Sequence, residues 1–497
     1  MSALFGEFRG MCRIRALLAV GFFALGCGDS APDFDPSEPP LGFSIVRGEA
    51  GATEIANLDK GRPADLSSLE PEERRVVEEA DARAPDIRTR ILELWVDEPG
   101  AELTITQVAH GFTFGFPIEL NRFREPGDLE WFTRTMSDHF DLAVLESDAK
   151  WGRVERERGE HSWEFVDANV EWAEANGFRT KGHTLLWGIA PPFSSSALPP
   201  WALERYAELP LPPALQADLR EDLRSFVRES VTRYRGRISI WDASNETLQP
   251  LAQWFVERLG SAIVADVFRW AREADPDVKL VFNEWIVEVF TGFTAPTAAD
   301  VRDRVLELLA DGVPIDAVGQ QAHFAPAVAF VDPTAELRPR TRLDDYARAL
   351  DTLAETGLPI HLTETNFIAP PEPELRAAQA EALLRLWWGH PSVEQIVFWG
   401  PWNKVAGRDE FEVGFWDDER NLTRHGEAVL SLLNDRWRTH EVVVAGDDGR
   451  SEVRACLGEY VAEWVVEGRR VHARFTVERG EGPAQVALLT PSVRPET

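Results

Sequence analysis

Eight apolar, β-branched runs recur along this 497-residue chain, most of them followed by a longer segment with helical spacing. The runs are residues 111–118, 142–147, 179–187, 238–246, 279–283, 317–323, 360–364 and 395–400. Amphipathic helical stretches lie between them, at 166–176, 215–234, 262–274, 301–311, 343–355 and 375–388. Strand and helix in alternation specify parallel βα units, because a crossover helix returns the chain to start the next strand in the same direction. Eight such units close a (β/α)8 barrel. An α/β barrel is therefore expected over residues 110–435. The Pro-rich loop at 190–213 follows the third run, on the face where barrels of this kind build their sites.

The flanks read differently. Arg9, Arg13 and Arg15 precede an apolar run at 16–26 that is too short to span a bilayer, the pattern of a secretory signal peptide over residues 1–27. It ends A-L-G-C at Cys27, which resembles a bacterial lipobox with Ala24 where Leu is usual, so lipidation of Cys27 is expected. Residues 28–68 begin acidic and Pro-rich and read as a disordered tether. Residues 69–109 are expected to form a helix and then a β-hairpin that turns at Glu98, Pro99 and Gly100. From 436 to 497 the pattern alternates apolar and polar residues, predicting a small all-β domain of some four strands. Tyr460 and Trp464 in that segment read as core.

Two of the barrel runs end on a carboxylate, Glu246 after Asn245 in the fourth and Glu364 in the seventh. Opposed strands of one barrel can bring two such groups to a common mouth. Paired carboxyls about 5–5.5 Å apart suit hydrolysis of a glycosidic bond with retention, one group giving a proton and the other attacking the anomeric carbon. The acid must be protonated while the nucleophile is ionised, so their surroundings must differ. Asn245 is placed to meet a sugar hydroxyl, and His323, closing the sixth run, to hold Glu364 as an anion. With 84 acidic and 52 basic residues the chain carries a net charge of −32, which disfavours nucleic acid and anionic lipid as partners and leaves neutral ligands unaffected. Eighteen Trp and 28 Phe supply aromatic faces suited to sugars. Past Cys27 only Cys456 remains, so no disulfide framework or structural zinc site is expected.

Several motifs together resemble glycoside hydrolase family 10. They are FDLAVLESDAKW from Phe140 to Trp151, with Glu155, Trp163 and Asp167 after it; KGHTLLW from Lys181 to Trp187; and WDASNE from Trp241 to Glu246. KLVFNEW from Lys279, IDAVGQQAH ending at His323, HLTET from His361 and VFWG from Val397 follow in the family's order. The resemblance implies a (β/α)8 TIM barrel and a retaining endo-β-1,4-xylanase, with Glu246 as general acid/base and Glu364 as nucleophile. It further implies that Lys150, His183, Asn245, Gln321 and His323 line the sugar subsites, and that Trp187 and Trp399 form their apolar walls. The flanking β segments are similar to extensions of plant-type members. No metal or organic cofactor is implied, since acid, nucleophile and water complete the cycle. The implied partner is a polysaccharide, with the chain a monomer and any membrane contact made through a lipid anchor at the surface of a bacterium.

The chain departs from the family's pattern at four places, one of them Ile189-Ala190-Pro191, where a Gln is usual. Ser147 stands for the usual Asn, Gly188 for the His that follows the Trp, and Asn366 for an Asp two residues past the nucleophile. These changes remove polar contacts near the scissile bond and leave both Glu in place. Two other readings follow from them: a non-catalytic carbohydrate-binding surface protein, and the same chemistry on a different β-glycan.

Overall fold

The computed structural model describes residues 39–491, apart from 41, 54, 290–294, 325–341, 369, 371 and 406–412. The signal peptide, Cys27 and the first part of the tether lie outside the described residues. Strands in chain order are β1 (Ser44–Arg47), β2 (Glu49–Ala50), β3 (Thr89–Val96), β4 (Glu102–His110), β5 (Thr113–Ile118), β6 (Leu142–Leu145), β7 (Arg179–His183), β8 (Ile238–Asn245) and β9 (Lys279–Glu284). They continue with β10 (Ala317–Phe324), β11 (Ile360–Phe367), β12 (Val393–Phe398), β13 (His440–Val444), β14 (Arg450–Cys456), β15 (Gly458–Val466), β16 (Arg469–Val477) and β17 (Ala484–Leu489).

Strands β5 to β12 close a parallel barrel, each pairing with the next and β12 returning to β5. They are the eight runs of the sequence, displaced by a few residues at their ends. Their helices are amphipathic for visible reasons. In Ala262–Ala274, Ile263, Val267 and Ala271 fall on one stripe and are buried. Ala298–Ala310 starts at a capping box in which Thr297 and Asp300 bond each other's backbone N–H.

The barrel interior is filled in layers, as the fold requires. Leu142, Val144, Ile240, Val281, Ala317 and Val397 form an apolar plug with Trp399. A buried ion pair, Lys181 Nζ to Asp242 Oδ1 at 2.8 Å, adds a polar layer within the barrel.

The remaining strands revise the expected boundaries. β3 and β4 flank the anticipated turn, yet they do not pair with each other. β3 lies between β17 and β14, while β4 lies between β13 and β15, so the supposed hairpin straddles two sheets. Their orders are β1-β17-β3-β14 and β13-β4-β15-β16-β2. Leu92, Leu94 and Val96 alternate along β3 to face Leu103 and Ile105 of β4, Tyr460 and Trp464 of β15 and Phe475 of β16. Burying both inner faces takes strands from each end of the chain, so the N-terminal extension and the C-terminal β-domain are one sandwich. The tether also ends earlier than 68: β1 pairs in parallel with β17, from Ser44 opposite Val486 to Arg47 opposite Leu489. Between barrel and sandwich, Arg88 donates to the carbonyls of Trp388, His390 and Val393, and Trp388 stacks on Trp437 at 4.4 Å.

Candidate active site

The C-terminal ends of β7 to β12 bring one set of polar side chains together. Glu246 follows β8 directly and has φ +57°, an uncommon conformation for a residue with a side chain. Its backbone N–H bonds Asn283 O at 2.9 Å. Its carboxylate accepts from Trp187 Nε1 at 2.8 Å and from Gln321 Nε2 at 3.0 Å. Glu364 sits within β11 and accepts from Asn283 Nδ2 at 3.0 Å, with His323 Nε2 3.1 Å from its other oxygen. A continuous chain of hydrogen bonds joins the two: Gln321 also donates to Asn245 Oδ1 at 3.1 Å, and Asn283 donates to that same oxygen at 2.8 Å.

The electrostatics separate the pair. Burial raises the Glu246 pKa, and the neighbouring Glu364 charge raises it further, against the bonds from Gln321 and Trp187. Burial would raise Glu364 as well. The field of His183, the hydrogen bond from His323 and the field of Lys150 together outweigh it and bring Glu364 down to about 2. One carboxyl thus favours its proton and the other its charge, in one enclosure.

His183 is held by Asp242, with Nδ1 2.9 Å from Oδ2, and presents Nε2 3.9 Å from Glu364. Lys150 places its ammonium 4.5 Å from the centre of the Trp187 ring, and the Trp399 ring lies 5.5 Å from His183. All nine barrel residues singled out in the sequence therefore fall in one cluster, and Cys27 alone lies outside the description.

Three further residues complete it. Asn283 touches both Asn245 and Glu364, and Thr363 Oγ1 fixes its amide by donating to Oδ1 at 2.5 Å. A Cβ on Gly319 would come within 2.6 Å of that oxygen, so glycine leaves the space Asn283 occupies. Glu284 is fully buried, accepting from Leu248 N at 2.8 Å and Gln249 Nε2 at 3.2 Å, and so grips the turn after Glu246. Asp242 orients His183. The signal for Asn283 and Glu284 was the one used for Asn245 and Glu246, an apolar strand ending in polar residues.

Residues 105–422, well over half of the chain, match the profile of glycosyl hydrolase family 10. The chain belongs to this family. Among curated relatives of this family 10 chain, the anti-sigma-I factor RsgI6 of Acetivibrio thermocellus is 29% identical over 424 residues, covering 84% of this chain and 50% of that protein. Endo-1,4-beta-xylanase 2 of Arabidopsis thaliana is 26% identical over 390 residues, covering 78% of this chain and 33% of its own length. The chain thus spans half or less of these two relatives. Among solved structures, xylanase 10B from Thermotoga maritima superposes with a TM-score of 0.54 at 24% identity, over 66% of this chain and 96% of that one. Xylanase 10B from Thermotoga petrophila RKU-1, in complex with xylobiose, gives a TM-score of 0.54 at 23% identity, over 66% of this chain and 95% of that one. These likenesses are of fold.

The departures from the family 10 pattern have structural counterparts. A Cβ on Gly188 would lie 2.4 Å from Ala252 O, and Gly188 O accepts from Trp254 N at 3.2 Å, so residues 252–254 occupy the room a larger residue would need. Asn366 is buried in register with His323, and its side-chain amide has no hydrogen-bond partner among the described residues. Ser147 O accepts from Lys150 N at 3.1 Å, holding the turn that presents Lys150.

Proposed function

We propose that this chain is a retaining, endo-acting glycoside hydrolase that cleaves β-1,4-xylan or a closely related β-1,4-glycan. The observation that carries the reading is the pair of buried carboxyls at the barrel mouth, Glu246 and Glu364, joined by hydrogen bonds through Gln321, Asn245 and Asn283, in surroundings that favour the proton on Glu246 and the charge on Glu364. Family membership and the xylanases among the relatives support the substrate class.

In the first step Glu364 attacks the anomeric carbon as Glu246 gives its proton to the departing glycosidic oxygen. Covalent attachment then removes the Glu364 charge, one of the influences that kept Glu246 protonated, so Glu246 becomes the better base. Glu246 takes a proton from water, the water attacks the anomeric carbon, and Glu364 leaves as a carboxylate. Asn245, Lys150 and His183 take sugar hydroxyls, while Trp187 and Trp399 cover the apolar faces of the rings.

The test is reducing-end release from xylan, with product anomers followed by NMR. Glu364→Gln and Glu246→Gln should each lower kcat by at least about a thousandfold, and the parent should release the β-anomer first. Release of the α-anomer, or undiminished activity in Glu364→Gln, would sink the assignment. Placement at a cell surface through Cys27 is part of the same proposal, and loss of metabolic lipid labelling in Cys27→Ser would support it.

A further inference from the structure

The side chain of Asn283 is wholly enclosed, at 0% exposure, near the end of β9. Its Nδ2 donates to Asn245 Oδ1 at 2.8 Å and to Glu364 Oε1 at 3.0 Å. Its Oδ1 accepts one hydrogen bond among the described residues, from Thr363 Oγ1 at 2.5 Å. Thr363 is itself buried, and its hydroxyl makes this bond alone among the described residues. A Cβ on Gly319 would lie 2.6 Å from Asn283 Oδ1 and 3.0 Å from Thr363 Cγ2, so the glycine leaves the room in which amide and hydroxyl meet. Without the hydroxyl, a buried carbonyl oxygen would be left with no donor, which costs more than the bond itself contributes.

The backbone supplies an independent observation. On one side of β11, Leu362 stands opposite Gln320 and Glu364 opposite Gln321; on the other, Leu362 stands opposite Ile396 and Thr365 opposite Phe398. Between these pairs β11 holds one residue more than either neighbour, which is a bulge. Successive residues of a regular strand face opposite ways, and a bulge re-aims them. Here Thr363 and Glu364, adjacent in sequence, both reach the same Asn283 side chain. The irregularity thus delivers a hydroxyl and a carboxylate together to one amide.

The two bonds respond differently to the reaction. In the free enzyme Glu364 is an anion, and a charged acceptor holds an N–H about twice as strongly as a neutral one. Once Glu364 has bonded to the anomeric carbon its charge is gone, and its grip on Asn283 loosens. The Thr363 bond involves no charge and persists. We propose that Thr363 is a positioning residue for the second half of the reaction, its hydroxyl keeping Asn283, and through it Asn245, in place while water displaces Glu364. In that step the water oxygen bonds to the anomeric carbon, its proton passes to Glu246, and the electron pair of the breaking bond returns to Glu364. The inference rests on the double-displacement reading above.

The test uses the full chain with 2,4-dinitrophenyl β-xylobioside, whose leaving group needs no proton, so that kcat reads hydrolysis of the glycosyl-enzyme and kcat/KM reads its formation. Thr363→Val replaces the hydroxyl by a methyl group at nearly constant shape. It should lower kcat by at least about tenfold while kcat/KM changes by less than about threefold, so that KM falls with kcat. Stopped flow should show a burst of about one dinitrophenolate per folded enzyme before a steady state slower than the parent's. Thr363→Ser restores the hydroxyl and should return kcat to within about threefold of the parent. Should Thr363→Val fold poorly, Thr363→Ala is expected to show the same split. Equal losses in kcat and kcat/KM without a burst, or an unchanged kcat, would overturn the inference and leave the double-displacement reading standing. No release of dinitrophenolate by the parent would overturn both.

Discussion

Replacing Glu284 by Gln asks whether a protonated carboxyl holds the turn that carries Glu246. Glu284 is fully buried. Burial raises its pKa from 4.5 to about 8, with the Glu246 charge adding to the rise and the bond from Leu248 N opposing it. A folded-state value above the unfolded one means that the folded chain keeps a proton which the unfolded chain releases. The stabilisation is therefore complete below about pH 4.5 and is lost as pH rises through about 8. At 1.36 kcal/mol per pH unit the interval amounts to about 5 kcal/mol. Gln keeps the shape and an oxygen to accept from Leu248 N, and it cannot ionise. Urea unfolding, followed by tryptophan fluorescence across this pH range, should show the parent losing several kcal/mol relative to Glu284→Gln between the acidic and alkaline ends. Parallel pH profiles for the two proteins would refute the reasoning, since Glu284 would then titrate alike in the folded and unfolded chains.

Three other outcomes are expected. Trp187→Phe removes the hydrogen bond that favours ionised Glu246, so the alkaline limb of the kcat/KM profile should move to higher pH; a move to lower pH contradicts the role given to Nε1. Gly188→His forces a side chain against Ala252 O and should lower stability by about 1–3 kcal/mol, read as a reduced Tm, with KM changed through the displaced 252–254 segment. Truncation before residue 436 strips β3 and β4 of their partners and uncovers Leu92, Leu94, Val96, Leu103 and Ile105. At about 2 kcal/mol for each side chain the loss is roughly 10 kcal/mol, comparable to the whole stability of a domain. The truncated chain should be insoluble, and a soluble, active product would show that the barrel tolerates an empty half-sandwich.

The barrel was legible because its determinants are local. Each strand is an apolar run buried on both faces, each helix has an apolar stripe, and the alternation leaves few topologies. The site was legible for a related reason: its residues sit where apolar runs give way to polar ones at strand ends. The sandwich was misread because alternation tells which face of a strand is buried and is silent about which strand lies beside it. β3 and β4 look like a hairpin on local grounds, being two alternating strands about a Pro-Gly turn. Only partners more than 300 positions away, β14 and β17 for one and β13 and β15 for the other, send them into different sheets. β1 was hidden for the same reason, as a short strand whose partner lies at the far end of the chain. Gly188 read as a lost histidine, and its cause is a carbonyl from another loop.

The two carboxyls also differ in how the backbone presents them. Glu364 is an interior residue of β11, flanked by β10 and β12, where the register shifts in both ladders. Glu246 lies one residue past β8 at φ +57°, a conformation that costs on the order of 1 kcal/mol for a residue with a Cβ. Such a bend persists only where its surroundings over-determine it. Here Asn283 O holds the Glu246 N–H, Glu284 holds Leu248 N and the Gln249 side chain, and Trp187 and Gln321 hold the carboxylate. Asn283 and Glu284 are adjacent on β9, so one strand end both braces the bend beneath Glu246 and donates to Glu364. Glu364 is thus held within a strand, while Glu246 is held past the end of one by Asn283, Glu284, Trp187 and Gln321. Substitutions at Trp187 and Gln321, which touch the Glu246 carboxylate, should therefore change its proton transfer at constant fold, whereas substitution of Asn283 should disturb both carboxyls.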